Sequence, residues 1–422
     1  MNFNNEQFLS NLSPDSAWSF SESSQKDTNY ITHGYHKYPA KYIPQLARKL
    51  ILENSEIGSY VLDPFGGCGT TAVEAKINGR KSLSLDINPV ATMISNAKIT
   101  AIPHELLNEQ ISLFWKRHQK LEKWKVIEHE RIDHWFNDRD KISNISKILA
   151  AIDLNQNETS NFFLCAFSNI LKNCSLWSMK SNKPFFDRNK INVDPETQFK
   201  KQLNTMVRKN LEYCEILKKH NQTKTKAIAI TGDAQKIPVG DNKIDLIVTS
   251  PPYVTSYEYA DIHQLTALWL GYMDNLSIFR KDFIGSAGAS RSNENLNSQT
   301  ALNISNTLYD QNKPLGKKTA VYFSDMYRVF TDMKRVLRKD GKASIVIGDT
   351  QLRGVKISNT KVFMEQLEHL GFSIENVISR KITSKLIPST RDIKTGKFAS
   401  VKSSDKISYP VEFIIIARNT SD

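Results

Sequence analysis

The chain has 422 residues and a formal net charge of +13 at pH 7, with a sequence pI near 9.3. Hydrophobic residues make up 40% of the sequence and charged residues 24%, which is ordinary globular composition and excludes a wholly disordered chain. No apolar run reaches the roughly 20 residues of a membrane-spanning helix, and the excess of basic residues favours a polyanionic partner, above all nucleic acid.

Seven short segments have the β-branched, apolar composition of buried strands, and helical patterns separate most of them. This alternation predicts an α/β fold with a seven-stranded, mostly parallel sheet covered by helices on both faces. A polar, basic connection joins the last two segments, which predicts an antiparallel hairpin at the edge of the sheet. The predicted strands are Tyr60–Asp63, Ser82–Asp86, Ala227–Thr231, Asp245–Thr249, Ala343–Gly348, Phe372–Ile382 and Val411–Ala417.

Two stretches interrupt this pattern. Residues 87–226 are far longer than a crossover between strands requires, and their apolar residues keep helical spacing, so we predict a mostly helical insertion. Residues 285–318 are polar, rich in Gly, Ser and Asn, and aperiodic, which predicts a mobile loop. The expected organisation is a cofactor-binding half with an N-terminal capping segment (1–86), the insertion, and a catalytic half (227–422).

The first predicted strand ends in a glycine turn, Asp63-Pro-Phe-Gly-Gly-Cys-Gly69. The turn fits the G-x-G-x-x-G/A pattern, whose glycines let a ligand approach the backbone closely. Asp86 ends the next strand at the spacing that suits a ribose diol. An acidic residue in the turn would repel a pyrophosphate but suits a cationic amine. S-adenosylmethionine carries both an amine and a ribose, so the pattern favours it.

The third and fourth predicted strands end in polar motifs. After the third strand, Asp233 is placed to accept a hydrogen bond from an adenine amino group. The fourth strand runs into Ser250-Pro-Pro-Tyr253, where two prolines enforce a rigid, extended end. The Ser250 hydroxyl and the neighbouring carbonyls become fixed acceptors, and Tyr253 offers an aromatic face. This arrangement suits a planar base with an exocyclic amine, flipped out of a duplex.

These motifs resemble those of the amino-group DNA methyltransferases of bacterial restriction-modification systems, which use S-adenosylmethionine. The turn from Asp63 to Thr70 is similar to the cofactor motif of the family, and Ser250 to Tyr253 is similar to its catalytic motif. The segment His33–Pro44 is similar to the one that caps the methionine end of the cofactor, and Arg335–Gly341 is similar to a helix-to-strand turn. The resemblance spans roughly residues 18 to 417 and implies a Rossmann-like class I methyltransferase domain.

The resemblance also implies direct methyl transfer to an exocyclic amine, with duplex DNA as substrate and a cognate restriction endonuclease acting separately. Ser at the first position of the catalytic motif usually accompanies methylation of cytosine N4, whereas Asp or Asn usually accompanies adenine N6. Adenine-N6 methylation, RNA base methylation and a catalytically inactive nucleic-acid-binding subunit stay open as alternatives. The implied catalytic residues are Ser250, Pro251, Pro252 and Tyr253, and the implied cofactor-binding residues are Lys41, Asp63, Pro64, Phe65, Gly67, Gly69, Thr70, Asp86, Asp233 and Ala234.

Further features narrow these expectations. None of the four cysteines follows a proline, which argues against the Cys-dependent methylation of carbon 5. No His or Cys cluster predicts a metal site. The N-terminus has no signal-peptide pattern, so we expect a cytoplasmic protein. The insertion at 87–226 is the candidate region for DNA contacts. The net basic segment 380–406 is either a solvated hairpin tip or a second DNA contact.

Overall fold

The computed structural model describes residues 8–9, 11–39, 41–155, 157–181, 183–191, 193–254, 259–285, 296–382, 390–391, 406–407 and 411–420. In these parts of the chain, no helix combines the length and the apolar character needed to cross a membrane. Lys394, Lys397 and Lys402, the central cations of the predicted basic segment, lie outside the described residues.

Seven strands form the main sheet, in the order β3-β2-β1-β4-β5-β7-β6. Strands β1 to β5 run parallel to one another, and β7 runs antiparallel to both β5 and β6. The predicted Rossmann-like sheet and its antiparallel edge hairpin are therefore confirmed. The strands are β1 (Tyr60–Asp63), β2 (Lys81–Asp86), β3 (Ala227–Thr231), β4 (Ile244–Thr249), β5 (Leu337–Ile347), β6 (Phe372–Lys381) and β7 (Val411–Asn419).

Two short antiparallel ribbons lie outside this sheet. One pairs Thr350–Leu352 with Val355–Ile357, and the other pairs Thr390–Arg391 with Lys406–Ile407. The α-helices are α1 (Gln25–Thr28), α2 (Pro44–Asn54), α3 (Thr70–Ile77), α4 (Pro89–Ile99), α5 (His104–Lys120), α6 (Glu130–Phe136), α7 (Arg139–Ala151), α8 (Asn157–Cys174), α9 (Pro195–Lys219), α10 (Tyr259–Ile262), α11 (Gln264–Trp269), α12 (Leu276–Lys281), α13 (Gln299–Gln311), α14 (Lys313–Val336) and α15 (Asn359–His369). Two 3₁₀-helices, Ser16–Trp18 and Ile31–Gly34, precede α2.

Helices cover both faces of the sheet because its strands are apolar on both sides. Successive strand residues point to opposite faces. Val61 and Val248 pack with α2 and α3 on one face. Leu62 and Ile247 pack with α14 and α15 on the other. Such double coverage is what a parallel sheet needs, since its strands have no solvent-facing side.

The described residues between β2 and β3 form helices α4 to α9, in keeping with the helical character predicted for 87–226. Their aromatic core includes Phe114, Phe162 and Phe199, and it continues into α4 beside the sheet. Asn210 ties α9 to the segment between α4 and α5, since its side chain exchanges hydrogen bonds of 3.1 and 2.7 Å with the backbone of Ile102. The division of the chain into three parts stays a prediction.

The loop predicted at 285–318 is wrong over its second half, where α13 and the start of α14 lie. The Ser298 side chain caps α13 by accepting a hydrogen bond of 2.9 Å from the Ala301 amide. Helix α13 buries Ala301, Ile304 and Leu308, a narrow apolar stripe on a helix that is otherwise mostly polar. Residues 286–295 of the predicted loop lie outside the described residues.

Candidate active site

A cavity lies at the carboxyl ends of β1 to β4, where parallel α/β sheets bind ligands. It brings together residues from six separate stretches of the sequence, which lie within 38–42, 64–70, 86–88, 233–234, 250–259 and 282–284. The predicted site residues that line it are Lys41, Pro64, Phe65, Gly67, Thr70, Asp86, Asp233, Ala234, Ser250 and Pro252. The remaining predicted residues, Asp63, Gly69, Pro251 and Tyr253, adjoin this wall in the sequence but are not among those that line it.

Asp63 is nearly fully buried below the cavity, and its carboxylate is used within the protein. It accepts hydrogen bonds of 2.7 Å from the hydroxyls of both Thr71 and Thr249, and one of 3.1 Å from the Phe65 amide. The Tyr42 hydroxyl donates a further bond of 3.3 Å. Burial raises the pKa of Asp63, while these hydrogen bonds oppose that rise. Asp63 therefore joins β1, β4 and α3, and the structure does not bring it to the cavity.

Asp86 lines the cavity and orders the glycine turn. Its two carboxylate oxygens accept hydrogen bonds from the Gly67 amide (2.9 Å) and the Asn88 amide (2.8 Å). Each carboxylate oxygen has a second lone pair, so acceptor capacity remains for the hydroxyls of a ligand. Burial raises the pKa of Asp86 to about 6, against the lowering effect of the two amides.

Gly67 leaves room for a ligand between the turn and Tyr38. Its φ is +49°, and a Cβ atom at this position would lie 3.5 Å from the Tyr38 ring. A side chain here would be strained and would fill part of the cavity wall. Gly69, in contrast, precedes α3 and donates its amide to the Gly66 carbonyl at 2.8 Å, which closes the turn.

Asp233 enters the cavity from the end of β3. Its Oδ1 atom accepts hydrogen bonds from the Gln235 amide (2.9 Å) and the Gln235 side chain (3.4 Å). These bonds fix the orientation of the carboxylate. Asp86 ends β2 and Asp233 lies two residues after β3, so both carboxylates reach the cavity from the ends of neighbouring strands.

The segment that follows His33 also lines the cavity, through Tyr38, Lys41 and Tyr42. The Lys41 ammonium donates a hydrogen bond of 3.2 Å to the His33 carbonyl. Burial, together with the charge of Lys98, lowers the pKa of Lys41 to about 8. The segment is held from behind by a buried contact of 2.7 Å between His33 Nε2 and Glu74. The cavity wall therefore carries the cation of Lys41 as well as the carboxylates of Asp86, Asp233 and Asp282.

Ser250 and Pro252 close the cavity at the end of β4. The Tyr322 hydroxyl donates a hydrogen bond of 2.8 Å to the Pro252 carbonyl, which fixes the second proline from α14. Tyr253 is half-buried, and its phenol lies against the backbone of Gly348 at the end of β5. Burial raises the pKa of this phenol well above its ordinary value, so it stays neutral.

Several lining residues were not predicted as site residues. Tyr38 and Tyr42 belong to the capping segment, and their aromatic character beside Lys41 was a usable signal. Asn88 lies two residues after Asp86, so it was within reach of the same motif. The remaining examples, Tyr259, Phe283 and Ile284, follow the catalytic motif in a stretch without a recognisable pattern, and their positions depend on how α10 to α12 fold back.

The residues present fit S-adenosylmethionine. Asp86 retains acceptor capacity for hydroxyls, Gly67 leaves backbone exposed for close approach, and Asp233 offers a carboxylate on the neighbouring strand. Lys41 supplies a cation in the wall of the same cavity. A ligand with a ribose, an amino-bearing ring and a carboxylate would find complementary groups in this arrangement.

Comparison with known proteins gives the following matches. The family described as DNA methylase, N6_N4_Mtase, matches residues 5–97 and 244–422 of this chain. Type II methyltransferase M.MvaI of Kocuria varians is 25% identical over 432 residues, which cover 93% of this chain and 92% of that protein. Type II methyltransferase M.BsoBI of Geobacillus stearothermophilus is 23% identical over 280 residues, which cover 58% of this chain and 54% of that protein.

A solved SAM-dependent methyltransferase from Methanosarcina mazei is a distant structural neighbour. It is 8% identical, with a TM-score of 0.33, and the match covers 92% of this chain and 100% of that chain. The region that the DNA methylase family leaves unmatched, between residues 97 and 244, contains helices α5 to α9 and strand β3.

Proposed function

Because the chain belongs to the DNA methylase family, we propose that it methylates the exocyclic N4 amine of cytosine in duplex DNA. The observation that carries this proposal is the position of Ser250, which stands first in the Ser-Pro-Pro-Tyr motif and lines the same cavity as Asp86 and Asp233. Ser in this position is typical of enzymes that act on cytosine N4. The similarity to type II methyltransferases supports a role in a restriction-modification system.

The cofactor is S-adenosylmethionine, which supplies an electrophilic methyl group when bound. Asp86 would accept hydrogen bonds from the ribose hydroxyls, and Asp233 from the adenine amine. Lys41 would face the carboxylate of the methionine moiety, where its positive charge is favourable even though its pKa is lowered to about 8. Asp63 acts indirectly, because it holds the turn and the ends of β1 and β4 in register.

Catalysis by this chain consists of holding a flipped base in one orientation. The Ser250 hydroxyl and the Pro251 carbonyl would accept hydrogen bonds from the target amine and direct its lone pair toward the cofactor side of the cavity. The bond from Tyr322 to the Pro252 carbonyl limits movement of the two prolines. Tyr253 would stack on the base. No protein nucleophile is required, because the amine itself would attack the methyl group and then release its surplus proton to solvent.

The base assignment is tested by expressing the chain in a host free of other DNA methyltransferases. Mass spectrometry of digested host DNA should show N4-methylcytosine, and sequencing that detects modified bases should place it in one recognition sequence. A Ser250→Ala variant that still binds cofactor serves as the control and should give neither signal. Detection of N6-methyladenine alone would overturn the cytosine assignment while leaving the cavity and its cofactor in place.

The proposal has two consequences for the cellular setting. The modified base would protect host DNA from a cognate restriction endonuclease that acts as a separate protein. Both proteins would work in the cytoplasm, where the host DNA lies.

A further inference from the structure

Between α8 and α9 the chain forms a loop whose described residues, 178–181 and 183–191, we call the tip. Eleven large hydrophobic side chains are exposed among the described residues, and three of them lie on the tip. Met179, Phe185 and Ile191 are 44%, 63% and 84% exposed. Single exposed apolar residues are ordinary on protein surfaces, but three on one short loop mark a surface that contacts something else.

The tip is held firmly at its base. Trp177 pairs with Phe186 as an antiparallel bridge, and the Ser178 amide donates a hydrogen bond of 2.8 Å to the Phe185 carbonyl. The Trp177 ring stacks on Trp135 of α6 at 5.2 Å. Because Phe186 packs inward with this aromatic core, its neighbour Phe185 faces outward. Phe185 is thus held in an exposed position by the backbone itself.

Two lysines complete this support from within. The Lys172 ammonium donates a hydrogen bond of 2.7 Å to the Ser181 carbonyl, and the Lys190 ammonium donates one of 2.7 Å to the Trp177 carbonyl. A loop that is already ordered loses little conformational entropy when a partner binds. The apolar side chains of the tip are therefore exposed although the loop that carries them is tied down.

The charges on the tip indicate the class of partner. Lys180, Lys183 and Arg188 are exposed, and Asp187 is the single acidic residue in this stretch of sequence. A net positive surface around an exposed aromatic ring is complementary to a nucleic acid, whose phosphates pair with the cations and whose bases stack on the ring. A protein partner would meet mostly uncompensated positive charge here.

The tip also lies near the cavity. Helix α8 leads into the tip, and Asn169 on its last turns accepts a hydrogen bond of 3.1 Å from the Lys37 amide. Lys172 follows one helical turn later, and burial together with the charge of Lys37 lowers its pKa. Lys37 is exposed and directly precedes Tyr38, which lines the cavity. Positive charge therefore continues from the cavity wall to the tip.

We propose that the tip binds duplex DNA next to the target base, with Lys180, Lys183 and Arg188 on backbone phosphates and Phe185 inserted between bases. Apolar wedges of this kind unstack a base step, which lowers the cost of extruding a neighbouring base. The inference rests on the proposed function in one respect, that the substrate is duplex DNA. It does not depend on which base is methylated.

Photo-crosslinking tests the contact directly. The full-length protein is prepared with p-benzoylphenylalanine in place of Phe185 and irradiated with a labelled pool of sheared genomic duplex DNA. We expect a covalent protein–DNA adduct. The same group in place of Ile57, which is 76% exposed just before β1 at the opposite end of the strands, should give none. An adduct between two protein copies, or no adduct at position 185, would overturn the proposal.

Binding measurements separate the ring from the charges. Phe185→Ala should bind the same DNA pool about tenfold more weakly, which corresponds to about 1.4 kcal/mol, whereas Phe185→Trp should retain affinity. Lys180→Gln combined with Lys183→Gln should reduce the slope of log Kd against log salt by up to about 1.8. Ile57→Ala and Lys81→Gln, both on exposed residues at the amino ends of strands, are the controls and should match the wild type.

Melting temperatures equal to that of the wild type would show that these variants are folded. Wild-type affinity and salt slope in all tip variants would contradict the inference. The identity of the methylated base in wild-type digests is read separately, so failure of the cytosine assignment and failure of the tip assignment give different results.

Discussion

Tyr253 illustrates how closely single residues at the site constrain one another. A Cβ atom added at Gly348 would lie 3.0 Å from the Tyr253 hydroxyl and 3.2 Å from its ring. If the ring stacks on the target base, then Tyr253→Ala should lower the methylation rate by roughly 10- to 100-fold, since base stacking contributes about 1–3 kcal/mol. Tyr253→Phe should retain most activity because the ring carries the interaction. Gly348→Ala should give an intermediate rate, because the ring must shift.

Steady-state rates with S-adenosylmethionine and duplex DNA check these values, and cofactor affinity measured by calorimetry provides the internal control. All three variants should bind the cofactor as the wild type does. A Tyr253→Phe enzyme as inactive as Tyr253→Ala would instead indicate that the phenol hydroxyl, not the ring, is essential.

Asp86 should make cofactor binding depend on pH. Its pKa is raised by burial to about 6, whereas an unfolded Asp titrates near 3.9. The ionised carboxylate is the better acceptor for ribose hydroxyls. If only this form binds, the Kd for S-adenosylmethionine should be about tenfold higher at pH 5 than at pH 7. Calorimetry across this range should show the change centred near pH 6, and Asp86→Asn should abolish it.

The same group has the opposite effect on the stability of the cofactor-free protein. A pKa that is higher in the folded state means that folding takes up a proton. The stabilisation from Asp86 is therefore present below about pH 4 and is lost as the pH rises through about 6.

Cofactor affinity that stays constant between pH 5 and 7 would show that Asp86 does not contact the ligand through its charged form.

At the level of secondary structure elements, the strands were predictable and their surroundings less so. All seven predicted strands exist, and short apolar runs bounded by turn, acidic or basic residues were enough to identify them. Helix α13 was missed since its buried stripe of Ala301, Ile304 and Leu308 lies among polar residues, and its cap at Ser298 became visible only in three dimensions. Local pattern identifies an element when its apolar face is wide, as in β4, and fails when that face is narrow.

The predicted site shows the same limit. Asp63 and Asp86 both end a strand beside the glycine turn, and the sequence predicts a ligand contact for each. The hydroxyls of Thr71 and Thr249 donate hydrogen bonds to the carboxylate of Asp63, whereas Asp86 lines the cavity. That difference depends on Thr249, which is 186 residues away in the sequence, so no local motif reveals it. Phe283 and Ile284 were missed for the same reason.

Across the whole molecule, the part of the capping segment between Tyr35 and Lys41 connects helix α8 to the cavity at the end of the sheet. His36 contacts Ser168 of α8 through a hydrogen bond of 2.9 Å, and the Tyr35 ring packs edge-on against Phe162 at 5.8 Å. The other end of the same segment lines the cavity through Tyr38 and Lys41. The helices proposed to contact DNA and the cavity proposed to bind the cofactor therefore share one short segment, so ordering of this segment by either ligand should assist the other.

Gln202 of α9 offers a test of this connection from outside the cavity. Its side chain donates a hydrogen bond of 2.7 Å to the Tyr35 carbonyl and accepts one of 2.8 Å from Asn169. Gln202→Ala would leave the Tyr35 carbonyl without this partner, at a cost of about 1–3 kcal/mol if no water replaces it. We expect cofactor affinity to fall about fivefold or more, and amide hydrogen exchange in residues 33–39 to become faster. Asn204→Ala, which removes an exposed amide from the same helix, should change neither quantity. Cofactor affinity that is unaltered in Gln202→Ala, even with a lowered melting temperature, would mean that α9 supports the fold without influencing the cavity.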